Sequence, residues 1–350
     1  MDRSSPALSC PPAVLELVES ALGRRVIASE AIPPGLDVRL FYRIRLEGDG
    51  SPSSLVARVD PRANPASDLE PIRALFAAGG VPVPARYGDA PGIELLEDLG
   101  SESLEALAHR ASPERLESLY AEACSLVPRI QSIAPPSPDG WDAALVASKA
   151  QKWIDWVLPL ALGRPAGDDE CALVKSTFAF IAEIGLAGPR RLAHRDFKAA
   201  NLLWAPAASE ETRQLTLIDL QGAFAAPPEY DLVCLLRDSQ VPLAEAAIES
   251  QLRRIRPELP DRPSDDEFHR RFDLITVSRV AKDIAHYLHA ASARGDRRYL
   301  PFVSTGLAHL QGASQRAAER DRELAPWAEL VAELPRPIPA PGNRRDPEAP

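Results

Sequence analysis

The chain has 350 residues, 45% of them apolar and 26% charged, which is enough length for two lobes and enough apolar content for each to bury a core. Its net charge of −10 excludes the broad basic face that non-specific binding to nucleic acid or to an anionic membrane requires, and is mildly friendly to a neutral or cationic small molecule. Cys10, Cys124, Cys171 and Cys234 are scattered with no CxxC pair, the N-terminus lacks a signal-peptide pattern, and no apolar run approaches the roughly 18 residues of a membrane helix, so a cytoplasmic monomer with no nucleic-acid or membrane partner is expected.

Residues 11–23, PPAVLELVESALG, set apolar side chains at 14, 15, 17, 18 and 22 between prolines and a glycine, which predicts a helix. Three β-like runs follow: RRVIAS, DVRLFYRIRL and SSLVARVD, the last two joined by the turn-rich EGDGSP. Residues 67–79, SDLEPIRALFAAG, open on a Ser/Asp cap and read as a helix, and a short strand is expected at 93–96. From residue 101 the period becomes helical, over 101–111, 112–133, 141–163 and 170–188. RLAHRDFKAANLLW (191–204) and QLTLIDLQGAF (214–224) lack that period and read as strand–loop segments. Helix returns at 228–256 and 266–293, with two more helices expected within 299–334. The fold class expected is therefore α+β, with a β-rich N-terminal lobe over 1–97, a helical lobe over 98–334 and a Pro- and charge-rich flexible tail over 335–350.

The segment HRDFKAAN, 194–201, gathers a carboxylate, an ammonium and a carboxamide within eight residues. Transfer of a γ-phosphoryl group calls for that set: a carboxylate to position the acceptor hydroxyl, cations over the phosphates, and oxygen ligands for Mg²⁺. Asp196 is the candidate to accept the hydroxyl proton, Lys198 to neutralise the phosphate and Asn201 to ligate metal. Downstream, Asp219 stands in the turn after a β-like run, LTLIDLQG, as a second metal ligand. Asp and Asn are also common turn-formers, but that accounts for each residue singly and not for two such segments in order.

These segments resemble the aminoglycoside phosphotransferase/choline kinase family of the protein-kinase-like fold, which carries H-x-D-x-x-x-x-N, then I-D-[FLW]-x-x-[AG], then Y-D-L opening a helix. Here they are His194–Asn201, Ile218–Ala223 and Tyr230–Leu232, and the resemblance spans roughly residues 25–310. LLEDLG (95–100), WIDWVLPLALG (153–163) and YDLVCLLRD (230–238) are most similar to the bacterial anomeric amino-sugar kinases, which phosphorylate the C1 hydroxyl of N-acetylmuramate or N-acetylglucosamine in cell-wall recycling. Where that subgroup carries H-R-D-[YF]-H-S-R-N and D-F-Q-D-A, this chain has Lys198, Ala200 and Gly222. The resemblance implies a bilobal fold with a small β-rich N-lobe and a large helical C-lobe, ATP and Mg²⁺ as cofactors, and an amino sugar as substrate. Another acceptor, such as an aminoglycoside, glucosamine or a choline-like alcohol, is the alternative.

It also implies roles for residues outside the two segments. Arg58 stands where the third strand of the family presents a phosphate-binding lysine, and an exposed strand arginine is the other reading. Glu70 is its expected acidic partner, with Asp68 as a second candidate; Leu96, Glu97 and Asp98 would offer backbone groups to adenine. The nucleotide loop is expected in SEAIPPGLDVR, around Gly35, without a GxGxxG pattern. Asp155 and Trp156, beside Trp153, are candidate sugar contacts or helix-packing residues, and Arg195, Gln221 and Arg237 are further substrate candidates. Asp231 and His194 are expected to brace the catalytic loop, and His286 and His289 have no third ligand nearby to make a metal site. A protein kinase is disfavoured by the absence of GxGxxG and A-P-E, and a catalytically dead module by the presence of Asp196, Asn201 and Asp219.

Overall fold

The computed structural model describes residues 10–33, 39–62, 69–206 and 212–339. Gly35 and Asp68 lie outside the described residues, as does the chain beyond 339. The chain divides into two compact units, Met1–Ser103 with Leu202–Gln221, and Leu104–Asn201 with Gly222–Pro350.

The first unit is built on a five-stranded antiparallel sheet in the order β1-β2-β3-β5-β4. Its strands are β1 (Val26–Ile32), β2 (Leu40–Leu46), β3 (Ser54–Val59), β4 (Arg86–Ala90) and β5 (Ile93–Glu97). In β2, Tyr42, Ile44 and Leu46 point into the core while Arg45 points out, the period-2 pattern of a half-buried strand. Helix α1 (Pro12–Leu22) covers that face, sending Val14 and Val18 onto Ile44, Leu55 and Leu95, and ends on Gly23 at φ 61°. Helix α2 (Glu70–Ala78) follows β3.

Two features depart from the sequence expectation. Strand β4, RYGDA, has no apolar alternation to reveal it; it is an edge strand that follows the β5 register through a bulge between Arg86 and Gly88. A Cβ on Gly88 would stand 3.0 Å from Ala21, so glycine permits the close approach of α1. The expected lobe boundary at residue 97 also moves. The hairpin of β7 (Leu202–Pro206) and β8 (Arg213–Leu217) belongs to the first unit because Trp204 N–H donates to Glu102 O at 2.7 Å and Leu217 N–H to Pro82 O at 2.8 Å.

The second unit is helical apart from the short pair β6 (Arg191–Ala193) and β9 (Phe224–Ala226). Its helices are α3 (Leu104–Ala108), α4 (Pro113–Gln131), α5 (Ala143–Trp156), α6 (Leu158–Leu162), α7 (Asp168–Ala187), α8 (Tyr230–Leu236), α9 (Glu245–Ile255), α10 (Asp265–Ala293), α11 (Val303–Arg320) and α12 (Ala325–Glu333). Ser112, Asp142 and Ser264 accept backbone N–H bonds as N-caps of α4, α5 and α10. The expected helix over 141–163 breaks at Val157, before Pro159, and that over 228–256 breaks into α8 and α9 around Pro242, since proline lacks the N–H that continues a helix. Helix α10 packs on α5, α7, α8 and α11 and is buried over most of its surface. Trp153 from α5 meets Trp327 from α12 at 5.8 Å between ring centroids, within the core. In the expected tail, Ile338 is buried.

Candidate active site

The segment after β6 is shaped by one buried carboxylate. Asp231, in the first turn of α8, accepts His194 N–H at 2.7 Å and Arg195 N–H at 3.1 Å. Two successive N–H groups converge on one side chain because Arg195 adopts φ 80°, the left-handed region that a non-glycine residue enters only when its surroundings enforce it. Burial pushes the Asp231 carboxyl up to about 6, against the downward pull of His194 and those two donors. Asp231 is thus the expected brace, and Cys234 Sγ adds a contact to Arg195 O at 3.3 Å. The Arg195 guanidinium lies over the Phe224 ring at 5.4 Å.

Beyond that brace the loop closes on itself. Lys198 N–H donates to Asp196 O at 2.9 Å, and Asn201 N–H to Lys198 O at 2.9 Å. Asn201 Nδ2 also donates to Asp196 O at 2.8 Å. Only the nitrogen of the carboxamide can donate to a carbonyl, so this bond fixes the amide orientation and leaves Oδ1 as a hard oxygen donor. The Asp196 side chain is 42% exposed, and its Oδ1 is 3.0 Å from Arg279 Nη2. Burial raises its pKa, but Arg279, Lys282 and Lys198 outweigh that and hold the carboxyl at about 2.

In the first unit, Asp219 follows β8 at φ 66° with a 40% exposed carboxylate. Gln221 Nε2 donates to Asp219 Oδ1, and Arg39 Nη1 lies 3.7 Å from that oxygen. Gln221, expected at the substrate, here holds the Asp219 carboxylate. Asn201 Oδ1 and the Asp219 carboxylate are each hard oxygen donors of the kind Mg²⁺ takes.

Arg58 is buried on β3, and among the described residues the carboxylate it pairs with is that of Glu94, its direct cross-strand partner on β5. Glu70, the expected partner, instead binds Arg73 at 2.6 Å, with Arg86 at 3.7 Å. The ladder register decides this: Glu94 is opposite Arg58, and its other oxygen receives Leu69 N–H at 3.0 Å, at the start of α2. Leu96 is buried, Glu97 N–H donates to Ala85 O at 2.8 Å, and Asp98 accepts from Arg43, Ser54 and Gly100 at 2.9, 2.8 and 3.0 Å.

Of the remaining candidates, Asp155 is exposed and accepts from Gln151 at 2.8 Å, whereas Trp156 stacks on His289 at 3.9 Å and meets the edge of His286 at 5.8 Å. Arg237 is buried, paired with Glu245 and set over the Phe272 ring at 5.5 Å. Among the described residues no cluster of three His, Cys, Asp or Glu forms a metal site, and no helix is long and apolar enough to cross a membrane.

Sequence reasoning missed Arg279, Lys282 and Asp283 on α10, and Lys149 and Lys152 on α5. Their one signal was a polar stripe at three- and four-residue steps, Arg279, Lys282, Asp283 and His286, on a helix otherwise buried.

Comparison with known proteins identifies the family and the fold. The model of the phosphotransferase enzyme family matches residues 30–268. The N-acetylmuramate/N-acetylglucosamine kinase of Pseudomonas aeruginosa is 28% identical over 336 residues, 93% of this chain and 94% of the relative. Among solved structures, a choline kinase from Streptococcus pneumoniae is similar with a TM-score of 0.59 at 15% identity, covering 88% of this chain and 98% of that one. An ADP-bound aminoglycoside phosphotransferase, APH(2'')-Ib, has a TM-score of 0.57 at 15% identity, over 86% of this chain and 97% of that one. The fold is protein-kinase-like, with a small antiparallel-sheet unit and a largely helical unit. With a family model that spans most of its length and a kinase-like fold, this chain belongs to the phosphotransferase enzyme family.

Proposed function

We propose that this protein is an ATP- and Mg²⁺-dependent kinase that phosphorylates the anomeric C1 hydroxyl of N-acetylmuramate, N-acetylglucosamine or a related amino sugar, acting as a cytoplasmic monomer in cell-wall recycling. The observation that carries the reading is the catalytic loop: an open Asp196 carboxylate on a turn locked by Asp231 and by the Asn201 amide. The 28% identity to an N-acetylmuramate/N-acetylglucosamine kinase along almost the whole chain supports the choice of acceptor.

In this reading Asp196 accepts a hydrogen bond from the acceptor hydroxyl and aims its oxygen at the γ-phosphorus. The new bond forms between that oxygen and phosphorus as the bond from phosphorus to the β–γ bridging oxygen breaks, and ADP leaves. A carboxyl held at about 2 is a weak base, so Asp196 works chiefly by orientation and takes the proton late, as suits a loose phosphoryl transition state. Lys198 and Arg58 balance phosphate charge, and Asn201 and Asp219 offer oxygens to Mg²⁺, which when bound neutralises the developing charge on the phosphates. Leu96, Glu97 and Asp98 line the adenine end of the nucleotide.

The test is a coupled ADP-release assay over N-acetylmuramate, N-acetylglucosamine, glucosamine, plain hexoses, choline and aminoglycosides, with NMR of the product to locate the phosphate. Release of ADP with an amino sugar and a phosphate on C1 is expected. Turnover of choline or an aminoglycoside alone would replace the acceptor assignment.

A further inference from the structure

The face of α10 that meets Asp196 carries more positive charge than its neighbours cancel. Arg279, Lys282, Asp283 and His286 share one face of the helix, and α5 sets Lys149, Lys152 and Trp156 on the element packed against it. The carboxylates that these cations touch are Asp196 and Asp283. Arg279 binds both, and Lys282 Nζ is 3.2 Å from Asp283 Oδ1. Lys152 has no carboxylate partner among the described residues: its Nζ lies 3.1 Å from His286 Nε2 and 5.8 Å from the centre of the Trp156 ring. Burial, together with Lys282 and Lys152, pushes His286 down to about 3, so its ring is neutral and accepts from the Lys152 ammonium without cancelling its charge. In a chain of net charge −10, this half-open cationic patch is not a consequence of composition.

An uncompensated ammonium at a partly open face calls for an anion, and the choice is between the nucleotide phosphates and the acceptor. In the reading above, Lys198 on the loop itself serves the transferred phosphoryl group. Lys152 meets α10 at His286, seven residues beyond Arg279 and so about 10 Å further along the helix at 1.5 Å per residue. It sits there beside the ring pair Trp156–His289, and aromatic rings line sugar sites rather than triphosphate sites. One pyranose ring with an acidic side arm matches that span, with its reacting hydroxyl at Asp196.

We infer that Lys152, supported by Lys282, forms a subsite for the carboxylate of an acidic amino sugar, with Trp156 and His289 as its aromatic wall. The inference rests on the amino-sugar kinase reading above and goes beyond it: this chain selects the sugar acid over its neutral counterpart by charge. The whole-chain charge points to a neutral or cationic acceptor; the charge beside Asp196 points the other way.

The experiment compares kcat/KM for N-acetylmuramate and N-acetylglucosamine in the full-length protein and in Lys152→Met, Lys152→Arg and Lys282→Met. The ratio of the two constants, acid over neutral, is expected to fall at least tenfold in Lys152→Met, mainly through KM for the acid, and to fall in the same sense in Lys282→Met. Lys152→Arg should keep most of the preference. Equal losses on both sugars, or a rise confined to KM for ATP, overturn the subsite. If the wild type phosphorylates neither sugar, the amino-sugar reading fails by itself, and calorimetric binding then decides the subsite. N-acetylmuramate bound by the wild type and lost in Lys152→Met upholds it, and no binding to the wild type overturns it.

Discussion

Arg279 places Nη2 3.0 Å from the Asp196 carboxylate while its Nε lies 3.2 Å from Cys234 Sγ and Nη1 binds Asp283. A guanidinium buried in α10 and held on three sides is a rigid anchor, so the Asp196 carboxylate is positioned by a residue outside the HRDFKAAN segment. The same contact sets its acidity. Asp196 is depressed from an ordinary 3.8 to about 2, so it contributes stability at pH values above about 4, and that contribution is lost as pH falls towards 2.

Arg279→Gln should therefore bring the acid limb of the kcat–pH profile up towards pH 4, while the wild-type profile stays level between pH 4 and 6. A limb that does not move would show that Arg279 leaves the acidity of Asp196 alone. Asp196→Asn, which keeps the shape and removes the charge, should lose roughly 10²–10⁴-fold in kcat with little change in KM for ATP. Near-normal turnover would remove Asp196 from the reaction.

Asp231 satisfies two backbone N–H groups at the strained Arg195 turn. Asp231→Ala leaves both without their acceptor and should destabilise the protein by about 2–6 kcal/mol, at roughly 1–3 kcal/mol for each unsatisfied buried group. Chemical denaturation measures this, and Asp231→Asn, which keeps one acceptor oxygen, should fall between it and the wild type.

Asn201 offers its carboxamide oxygen because its nitrogen is committed to Asp196 O. Asn201→Ala should raise the Mg²⁺ concentration needed for half-maximal activity by at least roughly tenfold, the scale on which even supporting contacts alter metal affinity. It should also weaken the thermal stabilisation that ADP with Mg²⁺ gives the protein, a readout independent of turnover. Unaltered Mg²⁺ dependence in both assays would take Asn201 out of the metal site.

Lys149 is buried against the rings of Trp141 and Tyr230, 6.0 and 5.3 Å away, and its Nζ has no hydrogen-bond partner among the described residues. Burial, then the positive charges of Arg279 and Lys282, lower its pKa from 10.5 to about 7. Below pH 7 the fold carries the whole penalty of a buried ammonium, and above about 10.5 it carries none, so stability from this group rises with pH across that window. Lys149→Met should stabilise by roughly 1–4 kcal/mol at pH 6 and by much less near pH 10, as replacement of buried charge by apolar groups does. Thermal melts at the two pH values check it; an equal gain at both, or a loss at pH 6, contradicts it.

Much of this protein was determined by short stretches of its sequence. HRDFKAAN closes through backbone bonds among Asp196, Lys198 and Asn201, contacts that span at most five residues, so its spacing alone dictates its shape. Gly23, the Ser112 cap and the alternation in β2 likewise act on near neighbours, which is why α1, α4 and β2 were legible. Tertiary structure decided the rest. Edge strand β4 exists because β5 supplies its hydrogen bonds, and Arg58 meets Glu94 rather than Glu70 because the β3–β5 register places them opposite. Arg279 lies 83 residues from Asp196 and reaches it because α10 packs beside α5 and α8, which also brings Lys152 to His286. Local spacing names the reaction; the packing of distant helices sets the charge that surrounds it.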